Sequence, residues 1–246
     1  MAAEANNKEV IIECRQLSKV YRMGGQEVHA LWDMDLDIYK GEYMSVMGPS
    51  GSGKSTLFNM IGALDKPSSG TVKIGGVDLT SKSSLELAFI RNRHIGYIFQ
   101  SFNLIPSLTA IRNVMLPVLF SGKESDEAEK RAKEVLEEVG LGNRLHHRPS
   151  ELSGGQQQRV AIARGLAMNP TIMLADEPTA NLDLHTGEDI INMLRACCDN
   201  HKMTVITATH DHKMLASSDR ILWVKDGSKE RLENRKDLNI RVGKVE

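Results

Sequence analysis

Three short stretches carry residue types and spacings suited to chemistry on a phosphate. In the first, Gly48-Pro49-Ser50-Gly51-Ser52-Gly53-Lys54-Ser55-Thr56 satisfies the pattern G-x-x-x-x-G-K-[ST]. Glycines let the backbone close in, so that successive N–H groups can wrap phosphate oxygens at a helix N-terminus. Lys54 then reaches the β- and γ-phosphates as a point charge, and Ser55 is placed to ligate Mg²⁺. A chance match in a chain of this length is roughly one in a hundred at background usage, so an ordinary Gly-rich turn is the weaker reading. In the second stretch, the apolar run Thr171 to Ala175 ends in Asp176 and Glu177. A carboxylate at the C-terminal edge of a strand beside the glycine loop is where the metal sits. That assigns Asp176 to Mg²⁺ and frees Glu177 to polarise a water, a general-base role worth ~10²- to 10⁴-fold in rate. Alone, such an acidic pair would read as a solvated loop. In the third, Ser153, Gly154, Gly155 and Gln156 precede a helical run through Val160, Ile162, Ala163 and Leu166. They read either as a second anion site or as a plain N-cap.

These residues need a scaffold that brings separate strand ends together. Glu42 to Met47 is an extended apolar run feeding the glycine loop, and Leu57, Phe58, Met60 and Ile61 form the apolar face of the helix that follows. Val10 to Ile12 and Ala30 to Ile38 read as strands of an antiparallel sheet, and Pro67 to Gly70 as a turn into a strand at Thr71 to Ile74. Ser83 and Glu86 have capping-box spacing and open a helix towards Arg93, before a strand at Ile95 to Phe99. Residues 102–168 turn helical, with Ala132, Val135, Leu136 and Val139 at i, i+3, i+4 and i+7. Thr171 to Ala175, a helix at Leu184 to Asn200 and Thr204 to Thr209 make a βαβ unit. Arg220 to Lys225 and an Asp226-Gly227 turn close the fold, leaving a short charged tail after Ser228. The expected class is α/β: a parallel-sheet core, an N-terminal antiparallel β-subdomain and a helical subdomain. The expected organisation is one domain over 1–246, with 1–101 and 169–246 forming core and β-subdomain and 102–168 the helical part.

Composition narrows the function. Lys and Arg number 31 against 32 Asp and Glu, a net charge of −1 over 246 residues. That lacks the basic field of a dedicated nucleic-acid binder. Cys14, Cys197 and Cys198 have neither disulfide-framework nor zinc-ligand spacing and read as reduced cytosolic thiols. No apolar run approaches the ~18 residues of a membrane span, so membrane association is expected through a partner and not by direct insertion. The chain also stops soon after its last strand, and the expectation is that any membrane domain is a separate polypeptide.

Taken in order, the glycine loop, Gln100 after a strand, Leu152-Ser153-Gly154-Gly155-Gln156, Asp176-Glu177, Asn181-Leu182-Asp183 and His210 resemble the ABC-transporter ATPase family over nearly the whole chain. The resemblance implies a P-loop NTPase core with a helical signature subdomain, ATP as substrate and Mg²⁺ as cofactor. It also implies a head-to-tail homodimer in which Ser153 and Gly155 bind the γ-phosphate held by the other protomer's glycine loop. Gln100 then touches Mg²⁺ or the water, His210 bonds the γ-phosphate and orients Glu177, and Asp183 contacts the opposite protomer, or else caps its own helix. Tyr21 fits the adenine-stacking aromatic, or else is a half-exposed strand tyrosine.

The run Gln100 to Ala110 with Asn113-Val114 and Leu116-Pro117 is similar to the branch of macrolide exporters, lipoprotein-releasing complexes and antimicrobial-peptide resistance pumps. Ala180 departs from the glycine usual in that branch. Phe102, Leu104, Ile105 and Leu108 are either core or a groove for a helix of the membrane subunit. The resemblance implies an ATP-hydrolysing subunit on the cytoplasmic face of the cell membrane, driving separate permeases in export or extraction of lipoprotein, peptide or hydrophobic drug. A non-transport ATPase regulating a cell-envelope complex is the alternative. A small-molecule kinase with the same loop is disfavoured by Leu152 to Gln156.

Overall fold

The computed structural model describes residues 8–210, 212–238, 240–241 and 244–245. Two sheets organise it. The first is antiparallel, in the order β2 (Gln26–Tyr39), β1 (Val10–Met23), β4 (Ser69–Ile74) and β5 (Val77–Asp78). Gly24 and Gly25, at φ of 57° and 84°, make the tight β1–β2 turn that L-residues disfavour. Register shifts interrupt the β1–β2 ladder, and Gln16 and Asp33 stand at positive φ within these strands. Both strands therefore run well beyond the short stretches that alternation reveals.

The second sheet has the order β10 (Ser228–Asn234), β9 (Arg220–Lys225), β3 (Tyr43–Met47), β8 (Thr204–Thr209), β7 (Ile172–Asp176) and β6 (Ile95–Ile98). The five from β9 to β6 are parallel. Every residue of β3 and β8 is buried, as continuous apolar runs in a covered parallel sheet should be. The segment after Ser228, expected as a charged tail, instead pairs antiparallel with β9 as β10. Its charged residues suit an edge strand, whose outer side faces water.

Helix α1 (Lys54–Ile61) buries Leu57, Phe58, Met60 and Ile61, and α2 (Ser84–His94) begins with the full capping box of Ser83 and Glu86. Between β6 and β7 lie α3 (Ala110–Phe120), α4 (Ser125–Glu138) and α5 (Gly154–Leu166). The predicted stripe holds, with Ala132, Val135 and Leu136 of α4 and Val139 just beyond it all buried in one cluster with Val160 and Ile162 of α5. Helix α6 (Leu184–His201) completes the βαβ crossover from β7 to β8. No described helix is long and apolar enough to cross a membrane.

Candidate nucleotide-binding and hydrolytic site

Parallel register gathers the candidate residues at one sheet edge. Met47 pairs with Thr209, Asp176 with Ala208 and Ile98 with Ala175. The glycine loop after β3, Glu177 after β7, His210 after β8 and Gln100 after β6 therefore emerge side by side at the C-terminal ends of the strands. They line a cleft of about 640 Å³ with Ser50, Gly51, Gly53, Lys54, Ser55 and Thr56, closed on one side by Val28, His29 and Ala30 of β2.

The loop is built to present backbone amides. Gly51 and Gly53 have φ of 78° and 105°. A Cβ on Gly48 would sit 2.2 Å from Val224 O, and one on Gly53 would sit 2.5 Å from Ala30 O. The β9–β10 turn braces the loop, with Gly227 N donating to Ser52 O at 2.9 Å. No side chain caps α1 and no acid occupies its first turn, so its free N–H groups are left for an anion. Lys54, only 6% exposed, bends back and donates to Gly48 O at 2.7 Å and Pro49 O at 3.0 Å. Those carbonyls satisfy the ammonium where phosphate oxygens otherwise would. Ser52 Oγ is buried with no hydrogen-bond partner.

Asp176 sits behind the lining, hydrogen-bonded to Ser55. Burial pushes its carboxyl above the ordinary range, opposed by a hydrogen bond from Ser55 and by the charge of Lys54, and its Oδ1 is buried without a partner. Glu177 stands at φ 48°, its N–H donating to Ala208 O at 2.8 Å. That left-handed turn carries its side chain out of the strand's alternation and onto His210, with Nδ1 2.7 Å from Oε2.

Other expected residues lie elsewhere. Ser153 caps α5, its Oγ accepting from Gln156 N at 3.3 Å while Gln156 Oε1 accepts from Ser153 N at 3.1 Å. None of Ser153, Gly154, Gly155 and Gln156 lines the cleft. Asp183 caps α6, accepting from Thr186 N at 3.0 Å and Thr186 Oγ1 at 2.6 Å; those bonds hold its carboxyl below the ordinary range. The Thr186 methyl abuts Gly155 so closely that an added Cβ would meet it at 2.3 Å. Tyr21 is itself outside the cleft lining but borders it, paired across the hairpin with Val28 and hydrogen-bonded to Thr56, both of which line the cleft. Its hydroxyl donates to Asp65 Oδ2 at 3.2 Å, and Lys19 Nζ lies 4.9 Å from its ring centroid.

The chain is 48% identical to an uncharacterized ABC transporter ATP-binding protein of Thermotoga maritima, over 92% of this chain and 96% of that one. The ABC transporter family model matches residues 31–180. The chain belongs to the ABC transporter family. It is 44% identical to the lipoprotein-releasing system ATP-binding protein LolD of Shewanella frigidimarina, over 91% of this chain and 93% of LolD. The macrolide export ATP-binding/permease protein MacB of Rhodopirellula baltica is 45% identical over 88% of this chain, which spans only 32% of MacB. A solved dimeric, post-hydrolysis structure of the ATP-binding cassette MJ0796 with ADP and Pi superposes at TM-score 0.86, with 45% identity, covering 92% of this chain and 99% of that one. The ABC protein described here is thus the ATP-binding subunit and an ATPase.

Two residues of this ABC subunit escaped the sequence reading. Gln158, fully buried on α5, donates from Nε2 to Pro178 O at 2.8 Å, beside Glu177. The signal was a polar side chain on the face of Ala161 and Ile162. Arg164 donates to Asn103 O at 2.5 Å and Phe102 O at 2.9 Å, both residues at positive φ just past Gln100. Nothing in its spacing marked it.

Proposed function

We propose that two copies of this ABC subunit join head to tail, so that each lends the Ser153 helix tip to ATP gripped by the other's glycine loop. One observation carries the reading. The cleft holds the loop, Gln100, Glu177 and His210, whereas Ser153, Gly154, Gly155 and Gln156 do not line it, as a signature tip that serves a second copy requires. The dimeric state of the similar MJ0796 cassette supports it.

Within each site, the N–H groups at α1 and Lys54 would hold the β- and γ-phosphates. Ser55 and Asp176 fit Mg²⁺: the hydroxyl bonds a buried carboxylate whose Oδ1 has no partner, and among the described residues no cluster of three His, Cys, Asp or Glu offers an all-protein cage. That is the sparse ligand set the ion takes when phosphates and water supply the rest. When bound, it would neutralise charge on the transferring phosphoryl group. Glu177 would accept a proton from the attacking water, with His210 Nδ1–H holding the carboxylate in place. Gln100 would complete the coordination and Asp183 would meet the opposite copy. Tyr21 would flank the adenine only after Lys19 leaves its ring.

In this reading 1–246 form a single module whose 102–168 segment is the arm that moves the signature tip. The module is peripheral, on the cytoplasmic face of the cell membrane, and dimer closure drives separate permeases in export or extraction of lipoprotein, peptide or hydrophobic drug. LolD and the ATP-binding part of MacB are the relatives that favour this over envelope regulation. The docking surface is a groove lined by Leu64, Leu116, Pro117, Phe120 and Met168. Phe102, Leu104, Ile105 and Leu108 do not line it, and Leu104 packs on the core.

Light scattering of Glu177→Gln with ATP and Mg²⁺ tests the dimer. The expected result is a stable species of twice the protomer mass that turns over no ATP. A monomer at every nucleotide concentration would contradict it.

A further inference from the structure

A chain of buried hydroxyls crosses from the centre of the parallel sheet to the segment that follows His210. Ser45 on β3 stands opposite Thr207 on β8, and their side-chain oxygens lie 3.0 Å apart. Ser45 Oγ is also 2.7 Å from Ser218 Oγ, and Ser218 Oγ donates to Met214 O at 3.2 Å. All four residues are buried. A hydroxyl has one proton to give, so the last bond fixes the others: Thr207 donates to Ser45, Ser45 to Ser218, and Ser218 to the carbonyl.

These bonds end on the backbone that carries His210. Strand β8 stops at Thr209, His210 follows, and His212–Ser217 form a short 3₁₀ segment that Ser218 closes. Such a segment has poor internal hydrogen-bond geometry and takes its place from what it is tied to. Here Ser218 ties it to Ser45, and the buried Leu215 packs with Met47 and Ile221, against which Trp223 and Leu238 also pack. Met214 reaches the loop after Glu177, its Sδ accepting from Thr179 Oγ1 at 3.9 Å. The side chain of His210 is 67% exposed, so packing does little to fix it. Its place over Glu177 is inherited from the backbone on either side.

We propose that Ser218 is a positioning residue for hydrolysis: through Ser45 it fixes the segment after His210, and so holds the imidazole where Nδ1 meets Glu177 Oε2. This rests on the reading of His210 as the group that holds Glu177, and adds the anchor on which that contact depends. The 2.7 Å contact joins residues that leave two different strands, so a small shift of the His210 backbone misaligns the base without touching the nucleotide. Thr207 belongs to the same hydroxyl chain but does not bond the 3₁₀ segment. Its loss leaves the links from Ser45 to Ser218 and from Ser218 to Met214 O in place.

Steady-state ATPase assays of the full chain with Mg²⁺, run well below the melting temperature of every variant, test this. Ser218→Ala and Ser45→Ala are each expected to lower kcat about tenfold with KM for ATP within about twofold of the parent, as when alignment is lost and nucleotide binding is not. Combining them should lower kcat no further, since either one removes the same tie. Thr207→Val takes a hydroxyl from the same buried chain and is expected to turn over at the parental rate even where it melts lower. In a His210→Ala background, Ser218→Ala should leave the residual rate unchanged. Should one serine variant fail to fold, the other carries the comparison. A parental kcat in Ser218→Ala, an equal loss in Thr207→Val, or a full additional loss on top of His210→Ala would overturn the proposal while leaving His210 in its role. Parental turnover in His210→Ala would remove that role and the proposal with it.

Discussion

At the scale of single residues, Glu177 is the side chain to which the proposed mechanism gives the role of base. Its backbone sits at φ 48°, a conformation that costs a residue of this type about 1–3 kcal/mol and persists where surrounding contacts enforce it. Here the enforcing contacts are its N–H on Ala208 O and its carboxylate on His210. Glu177→Gln is expected to lower kcat by ~10²- to 10⁴-fold, with nucleotide affinity retained, in paired phosphate-release and binding titrations. Unchanged turnover would place the base elsewhere. Lys54→Ala acts one step earlier. Its ammonium already rests on two loop carbonyls, so its loss is expected to weaken nucleotide binding itself, read by calorimetry. Lys54, Ser55, Asp176 and Glu177 were legible in the sequence because each lies within a short pattern of fixed spacing. The pairing of Glu177 with His210 came only with the family resemblance, since spacing alone does not reveal a contact that depends on the β7–β8 register. Arg164 was invisible for a related reason: its partners are backbone carbonyls, which leave no trace in residue type.

Among the elements, α2 and α5 carry the sharpest tests. The Glu86 carboxylate accepts from Ser83 N–H and Oγ, which pulls its pKa from an ordinary 4.5 down to about 2. A depressed carboxylate contributes stability that is complete above its unfolded pKa and lost as pH falls through the folded one. The gap in denaturation midpoint between the parent and Glu86→Gln should therefore be constant above about pH 5 and close between 4.5 and 2; a gap that persists at pH 2 would count against the capping role. On α5, Gly155→Ala forces a methyl onto Thr186 Cγ2, 2.3 Å away, and overpacking of this kind costs about 1–3 kcal/mol. Adding Thr186→Ser removes the obstructing methyl yet keeps the hydroxyl for Asp183, so the double variant should melt near the parent. No recovery would mean that Gly155 is required for its backbone alone. The sequence announced both helices through their caps. It hid β10, whose charged residues resemble a tail until the Asp226-Gly227 turn brings them beside β9, and it hid most of β1 and β2, where bulges break the alternation.

Across the whole molecule, the proposed function makes the chain half of an assembly. The resemblance already assigned the Lys54 and Ser153 helix tips to different nucleotide contacts, and the fold adds that Ser153 does not line the cleft that holds Lys54. Links within the chain join the α5 end to the cleft residues: Gln158 ties α5 to Pro178, and Asn181 Nδ2 donates to Gln100 O at 2.9 Å. Movement of one copy's signature tip onto its partner's ATP would therefore be felt beside its own Glu177. The structure of Glu177→Gln with ATP and Mg²⁺ is the measurement that bears on this most directly. The expected result is Ser153 Oγ within hydrogen-bond reach of a γ-phosphate whose β- and γ-oxygens are held by Lys54 of the other copy. A triphosphate bound by Lys54 while Ser153 of both copies remains in solvent would contradict the account.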